Sequence, residues 1–201
     1  RLHATPDTAA AAADTEVSFI VVPTPSTASG AFSTRFVLDA VDGIGRGLRR
    51  STHYHVVVVT STMMPGSIDR EVRPALEAAS GRVVGDTVGL CYNPEFIALG
   101  SVIRDMTHPD LVLIGESDSR AGDVVEAVHR TFIAPGAQVR LEFVAVHAAQ
   151  DGVERGSTGG GVGEAQGLRN PCAVVAAPCG DSALAARAAQ HRTARQREDG
   201  G

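Results

Sequence analysis

The sequence predicts an α/β fold in which helices flank a parallel sheet, followed by a poorly structured carboxyl-terminal tail. Two observations carry this. From Val17 to about Phe143, short runs rich in β-branched residues alternate with longer segments of helical period, the mark of a parallel sheet covered by helices. After about Val146 the alternation stops, giving way to a glycine tract from Gly156 to Gly163 and an Ala-, Arg- and Gly-rich stretch from Cys172 to Gly201. The expected organisation is a folded unit over residues 1–145 and a low-complexity tail over 146–201.

The apolar run Val17–Val22 reads as a buried strand, and Phe36, Val37, Ala40, Val41, Ile44 and Leu48 then recur at helical spacing. His55–Thr60, with four consecutive valines, is a second strand. Ser67–Ser80 is a helix that Pro74 distorts or divides, with Gly81 as its C-cap. Val88–Tyr92 is a third strand and Phe96–Met106 a short helical stretch. Leu111–Gly115 is a fourth strand, and Ser119–Phe132 a helix with a core stripe of Ala121, Val124, Val125, Val128 and Phe132. Ser182–Gln196 reads either as a basic surface helix or as unstructured tail.

Composition excludes several classes. The 201 residues carry a formal net charge of -5, which argues against a duplex-binding surface, since phosphate binding needs a clustered positive patch. No apolar run approaches the roughly 20 residues of a membrane helix, and Arg1–Asp14 lacks the apolar stretch of a secretory signal, so neither nucleic acid nor membrane is an expected partner and the cytoplasm is the expected location. Cys91, Cys172 and Cys179 lack zinc-ligand or redox spacing and read as reduced or buried thiols. His53 and His55 lack a third metal ligand and read as solvent-facing, so no metal is expected. Every basic side chain among Lys and Arg is arginine; the sequence contains no lysine.

In an open parallel sheet, ligands bind beyond the carboxyl ends of the strands. Three consecutive strands end in polar, proline-bearing loops: Val22-Pro23-Thr24-Pro25-Ser26, then Thr60-Ser61-Thr62-Met63-Met64-Pro65-Gly66, then Tyr92-Asn93-Pro94-Glu95-Phe96. Proline fixes the backbone, while hydroxyl, amide and carboxylate groups bond a sugar, a phosphate or a water. One such loop is explained by helix capping. Three on one edge point to a shared ligand site.

These loops, with Ile97-Ala98-Leu99-Gly100-Ser101-Val102-Ile103-Arg104-Asp105 and His108-Pro109-Asp110, resemble the amino-terminal domain of the UDP-glucose/GDP-mannose dehydrogenase family. The resemblance covers roughly Leu2–Val139, and its most specific parts are Ser-Thr-x-x-Pro-Gly and Asn-Pro-Glu-Phe. It implies a partial Rossmann-like domain, NAD as cofactor, and a UDP- or GDP-linked hexose as substrate. The C6 alcohol would be oxidised to the uronic acid through a covalent thioester, nucleophilic catalysis with a cofactor taking the hydrides.

By that resemblance Val22, Thr24, Pro25, Ser26, Ser61 and Thr62 would line the NAD site, and Thr62 would also help position a water. Glu95 would face the sugar and handle protons, its pKa set by partial burial; the competing reading is a helix-start acid. Phe96, Ile97 and Ala98 would contact the substrate through their backbone. Many relatives carry a second glutamate where this sequence has Leu99, so that contact is not carried over.

The resemblance also calls for parts not found in these residues. The glycine-rich phosphate turn and the acidic residue for the ribose would precede Arg1, so the chain is expected to be truncated at both ends. Gly43-Ile44-Gly45-Arg46-Gly47 is no substitute, because it lies within a striped helix. The family's lysine cannot be present, and Pro171-Cys172-Ala173 and Pro178-Cys179-Gly180 do not match its cysteine loop. The expectation is therefore a fragment inactive alone, its tail either frameshifted from a GC-rich gene near Val139–Ala149 or natural. The alternative is a non-catalytic nucleotide-binding or subunit-interaction module. A homo-oligomer is left open for the full-length parent.

Overall fold

The computed structural model describes residues 3–27, 30–137, 140–145 and 173–178. The strands are β1 (Thr15–Val21), β2 (His55–Val59), β3 (Val88–Tyr92), β4 (Leu111–Glu116), β5 (Arg140–Ala145) and β6 (Ala173–Pro178), and the helices α1 (Thr8–Ala13), α2 (Arg35–Leu48), α3 (Arg73–Ser80), α4 (Val102–Thr107) and α5 (Ser119–Phe132). One six-stranded sheet runs in the order β5-β4-β3-β2-β1-β6. Its central trio is parallel, with Ile20 opposite Val59 and Val59 opposite Tyr92. The first three β–α steps agree with the alternation in the sequence.

Two features depart from an all-parallel sheet. β4 meets β3 antiparallel, Cys91 opposite Glu116 and Tyr92 opposite Gly115, so β4 extends beyond the carboxyl end of β3. On the other flank β6 pairs antiparallel with β1. This strand, at 173–178, lies in the stretch where the sequence reading found no packed element. The glycine tract, Cys172, Cys179 and Ser182–Gln196 lie outside the described residues.

Local chemistry accounts for the elements. Four buried valines in β2 suit a strand covered on both faces. Helix α1 went unread because its alanines carry no apolar period; Asp7 caps it, its carboxylate accepting from Ala10 N at 2.9 Å. Pro74 has the expected effect: Ile68–Val72 forms a π-helical turn before α3, since Pro74 supplies no N–H to an earlier carbonyl. Gly81 ends α3 in the left-handed region at φ 70°. The stretch expected as helix over Phe96–Met106 is helical only from Val102, beyond Gly100 at φ 103°.

The glycines of α2 are packing contacts, as their place in a striped helix implied. A Cβ on Gly45 would stand 2.4 Å from Ala79 Cβ, and one on Gly47 2.2 Å from the Ala9 carbonyl oxygen. Three bare positions on one helix let α1 and α3 approach its backbone on both sides.

His53 is exposed, but His55 corrects the solvent-facing reading: it is fully buried at the start of β2. Its Nε2 lies 2.9 Å from Ser18 Oγ and its Nδ1 2.8 Å from the Thr15 carbonyl oxygen. Burial lowers its pKa to about 4, so the imidazole is neutral, and the carbonyl assigns the proton to Nδ1. Cys91 is a free buried thiol whose pKa burial pushes up, in line with an inert core cysteine. No helix of the described residues is long and apolar enough to cross a membrane.

Candidate functional site

Because β1, β2 and β3 are parallel and level at Ile20, Val59 and Tyr92, the loops that follow all leave on the same edge. This is the convergence that the sequence predicted. Thr60 N bonds the Ile20 carbonyl at 3.0 Å and Asn93 N the Val59 carbonyl at 2.9 Å, extending each ladder one step into its loop.

The first two loops are clipped together by Ser61. Its buried hydroxyl accepts from Val22 N at 2.8 Å and donates to the Val22 carbonyl at 2.8 Å. Val22 and Ser61, both expected at the cofactor, thus satisfy each other inside the fold and shape the floor of the edge. Thr24 is half-buried, and Pro25, Ser26 and Thr62 are exposed. Ser26 sits in a bridge with Phe32, and Ser33 N returns to the Pro25 carbonyl at 2.9 Å, so this loop folds back on itself. The Thr24 and Thr62 hydroxyls make no hydrogen bond among the described residues and remain available to a ligand. Hydroxyl donors above a floor closed by Ser61 fit a ribose or an amide.

The third loop is anchored differently. Asn93 is buried; its Nδ2 donates to the Leu113 carbonyl at 2.8 Å, and its Oδ1 accepts from His129 Nε2 at 2.7 Å. The overhang of β4 brings Leu113 within reach. Glu95, Phe96, Ile97 and Ala98 follow, all exposed. Glu95 therefore lacks the partial burial that the sequence reading assigned to its carboxyl. The far end of the loop is tied by Asp105, whose carboxylate accepts from Ala98 N at 3.0 Å and Ser101 Oγ at 2.6 Å. The Ser101 bond, then the Ala98 bond, hold its pKa below the usual carboxylate value.

Beside this loop lies a shallow hollow of about 50 Å³, open to solvent, walled by Asn93, Glu95, Ile97, Met106, Leu111 and Phe132 among others. His129 also lines it, with its pKa lowered to about 4 by burial. Sequence reading missed His129: it falls inside the core-striped helix, and nothing local marks its partner 36 residues away. Among the described residues no group of three His, Cys, Asp or Glu is arranged to hold a metal.

Set beside known proteins, residues 1–133 match the model of the UDP-glucose/GDP-mannose dehydrogenase family, NAD binding domain. The GDP-mannose 6-dehydrogenase of Pseudomonas putida is 38% identical over 135 residues, 67% of this chain and 31% of that protein. A UDP-glucose 6-dehydrogenase of Haloferax volcanii is 34% identical over 115 residues, 57% of this chain and 27% of that protein. In structure, a ternary complex of the Pseudomonas aeruginosa GDP-mannose dehydrogenase aligns with TM-score 0.70 at 32% identity, over 75% of this chain and 34% of that one. The UDP-glucose dehydrogenase of Pyrobaculum islandicum gives 0.67 at 29% identity, over 75% and 33%. The chain spans about a third of the length of the relatives it matches.

Proposed function

Since the chain belongs to the UDP-glucose/GDP-mannose dehydrogenase family, we propose that it provides the NAD-binding part of an enzyme that oxidises the C6 alcohol of a nucleotide-linked hexose to the uronic acid. The observation that carries this is the convergence of three level loops on one edge, two presenting free hydroxyls and the third a carboxylate. A GDP-linked hexose is the favoured substrate, supported by GDP-mannose 6-dehydrogenases at 34 to 38% identity; a UDP-linked hexose is the other member of the class. Two NAD molecules, bound in succession, would each accept one of the two hydrides. Thr24, Pro25 and Ser26 form one wall of its site above the floor made by Val22 and Ser61, and Thr62 holds a water near the reacting carbon. Glu95 receives or delivers protons at the sugar, while the backbone of Phe96, Ile97 and Ala98 orients the ring. A cytoplasmic location goes with this reading.

Without lysine, these 201 residues lack one group that the resemblance calls for, so turnover by the chain alone is not expected. The same fact favours a second reading, a non-catalytic module that binds nucleotide or pairs with an intact subunit. Titrating the full chain with NADH, GDP-mannose and UDP-glucose, while following NADH production from NAD, tests both. Binding of a sugar nucleotide without turnover is the expected outcome, with NADH held weakly because the glycine-rich turn that bonds the pyrophosphate is not among these residues. Binding of neither sinks the dehydrogenase reading, and capture of an intact family subunit without sugar binding selects the second.

A further inference from the structure

We propose that His129 is a positioning residue for Glu95: its Nε2–H fixes the Asn93 amide, and that amide fixes the turn from which Glu95 projects. The inference rests on the reading above, in which Glu95 faces the sugar.

The direction of each bond follows from chemistry alone. The Leu113 carbonyl can only accept, so the side of the Asn93 amide facing it at 2.8 Å is Nδ2–H. Oδ1 is then the atom facing the imidazole at 2.7 Å, and it can only accept, so Nε2 carries the proton. Burial keeps the ring neutral, which leaves Nδ1 without a proton. The ring packs against Phe132, whose centroid lies 5.1 Å away at a tilt of 54°.

A buried asparagine is costly unless its polar atoms are bonded. Here backbone N, Nδ2 and Oδ1 are each satisfied, by β2, β4 and α5 respectively. Position 93 therefore ties three elements together at the point where the loop begins. Asp105 holds the far end through Ala98 and Ser101. Between these anchors Glu95, Phe96 and Ile97 are exposed and make no hydrogen bond among the described residues. The placement of the Glu95 carboxylate thus depends on the two ends. At the near end, His129 is the only side chain among the described residues that bonds Asn93 Oδ1.

The test uses the full chain and the variants His129→Phe, which keeps a ring but no donor, and His129→Gln, which restores an N–H. Three readouts are compared: hydrogen exchange at the Asn93 and Ala98 amides, the two hydrogen-bonded N–H groups of the loop, affinity for GDP-mannose, and affinity for NADH. Losing one hydrogen bond corresponds to about tenfold. His129→Phe is expected to speed exchange in the loop and weaken GDP-mannose binding by about that factor, with NADH affinity and exchange in β2 nearly unchanged and with His129→Gln recovering most of the loss. Loop exchange unchanged in His129→Phe, or as fast in His129→Gln, overturns the anchor. So does acceleration spread over the whole chain. Should His129→Phe not fold, imidazole nitrogen NMR of the unaltered chain decides, because a proton on Nδ1 rather than Nε2 overturns the assignment. A wild-type chain that binds NADH but no nucleotide sugar removes the role given to Glu95, and the assignment with it, even where loop exchange responds as expected.

Discussion

Helices α2 and α4 sit in the same fold under opposite conditions. Around α2 the glycines at 43, 45 and 47 bring α1 and α3 against its backbone, and Val37, Val41, Ile44 and Leu48 are fully buried. No residue of α4 is itself buried; Ile103 is 75% exposed and the preceding Leu99 completely so, beside the exposed Phe96 and Ile97. Close packing makes the first flank intolerant of added volume and able to hold strands level. The second flank keeps an apolar surface near the loop that carries Glu95, of the kind found where something binds. The closely packed flank sets the geometry, and the open one carries the loop of Glu95.

The largest expected effect comes from filling the tight flank. Gly45→Val drives a branched side chain into Ala79 and should cost about 3 kcal/mol or more in urea unfolding; a loss under about 1 kcal/mol would mean that the helices separate easily and that the contrast is false. An intermediate effect comes from acid. In the folded chain the pKa of His55 is lowered from 6.5 to about 4, so its stabilising contribution is complete above the unfolded value and is lost as pH falls through the folded one. Between about pH 7 and about pH 5 the chain should lose roughly 2 kcal/mol from this group, and His55→Gln should flatten the slope. His129, on the other flank, adds a slope of the same sign. The smallest effect is on the open flank: Leu99→Ser should change stability by less than about 0.5 kcal/mol, and a larger loss would show that Leu99 is covered in solution.

The central strands were legible because runs such as Val56–Val59 are apolar without alternation, a signal confined to the residues themselves. The convergence of the three loops followed from parallel pairing, and the helix at Ser119–Phe132 from its stripe. What escaped depends on distant partners. Nothing near His55 reveals that Ser18 and Thr15 await it across the sheet, and nothing near His129 reveals Asn93. The reversal of β4 was equally hidden, since a strand's direction is set by the elements before and after it. Glu95 was assigned partial burial by its motif, whereas burial is decided by what stands above it.

That reversal has an electrostatic consequence. Because β4 runs back toward the level where β2 begins, α5 starts beside Tyr54, whose hydroxyl bonds the capping Asp118 at 2.9 Å, and ends beside Asn93. The edge that carries the three loops therefore receives the amide end of α2 on one side and the carbonyl end of the 14-residue α5 on the other. Aligned peptide dipoles give those ends opposite partial charges. The edge is thus polarised along its length by backbone alone, more welcoming to anionic groups toward β1 and less so beside Glu95, where an uncharged ring or a departing proton meets no opposition.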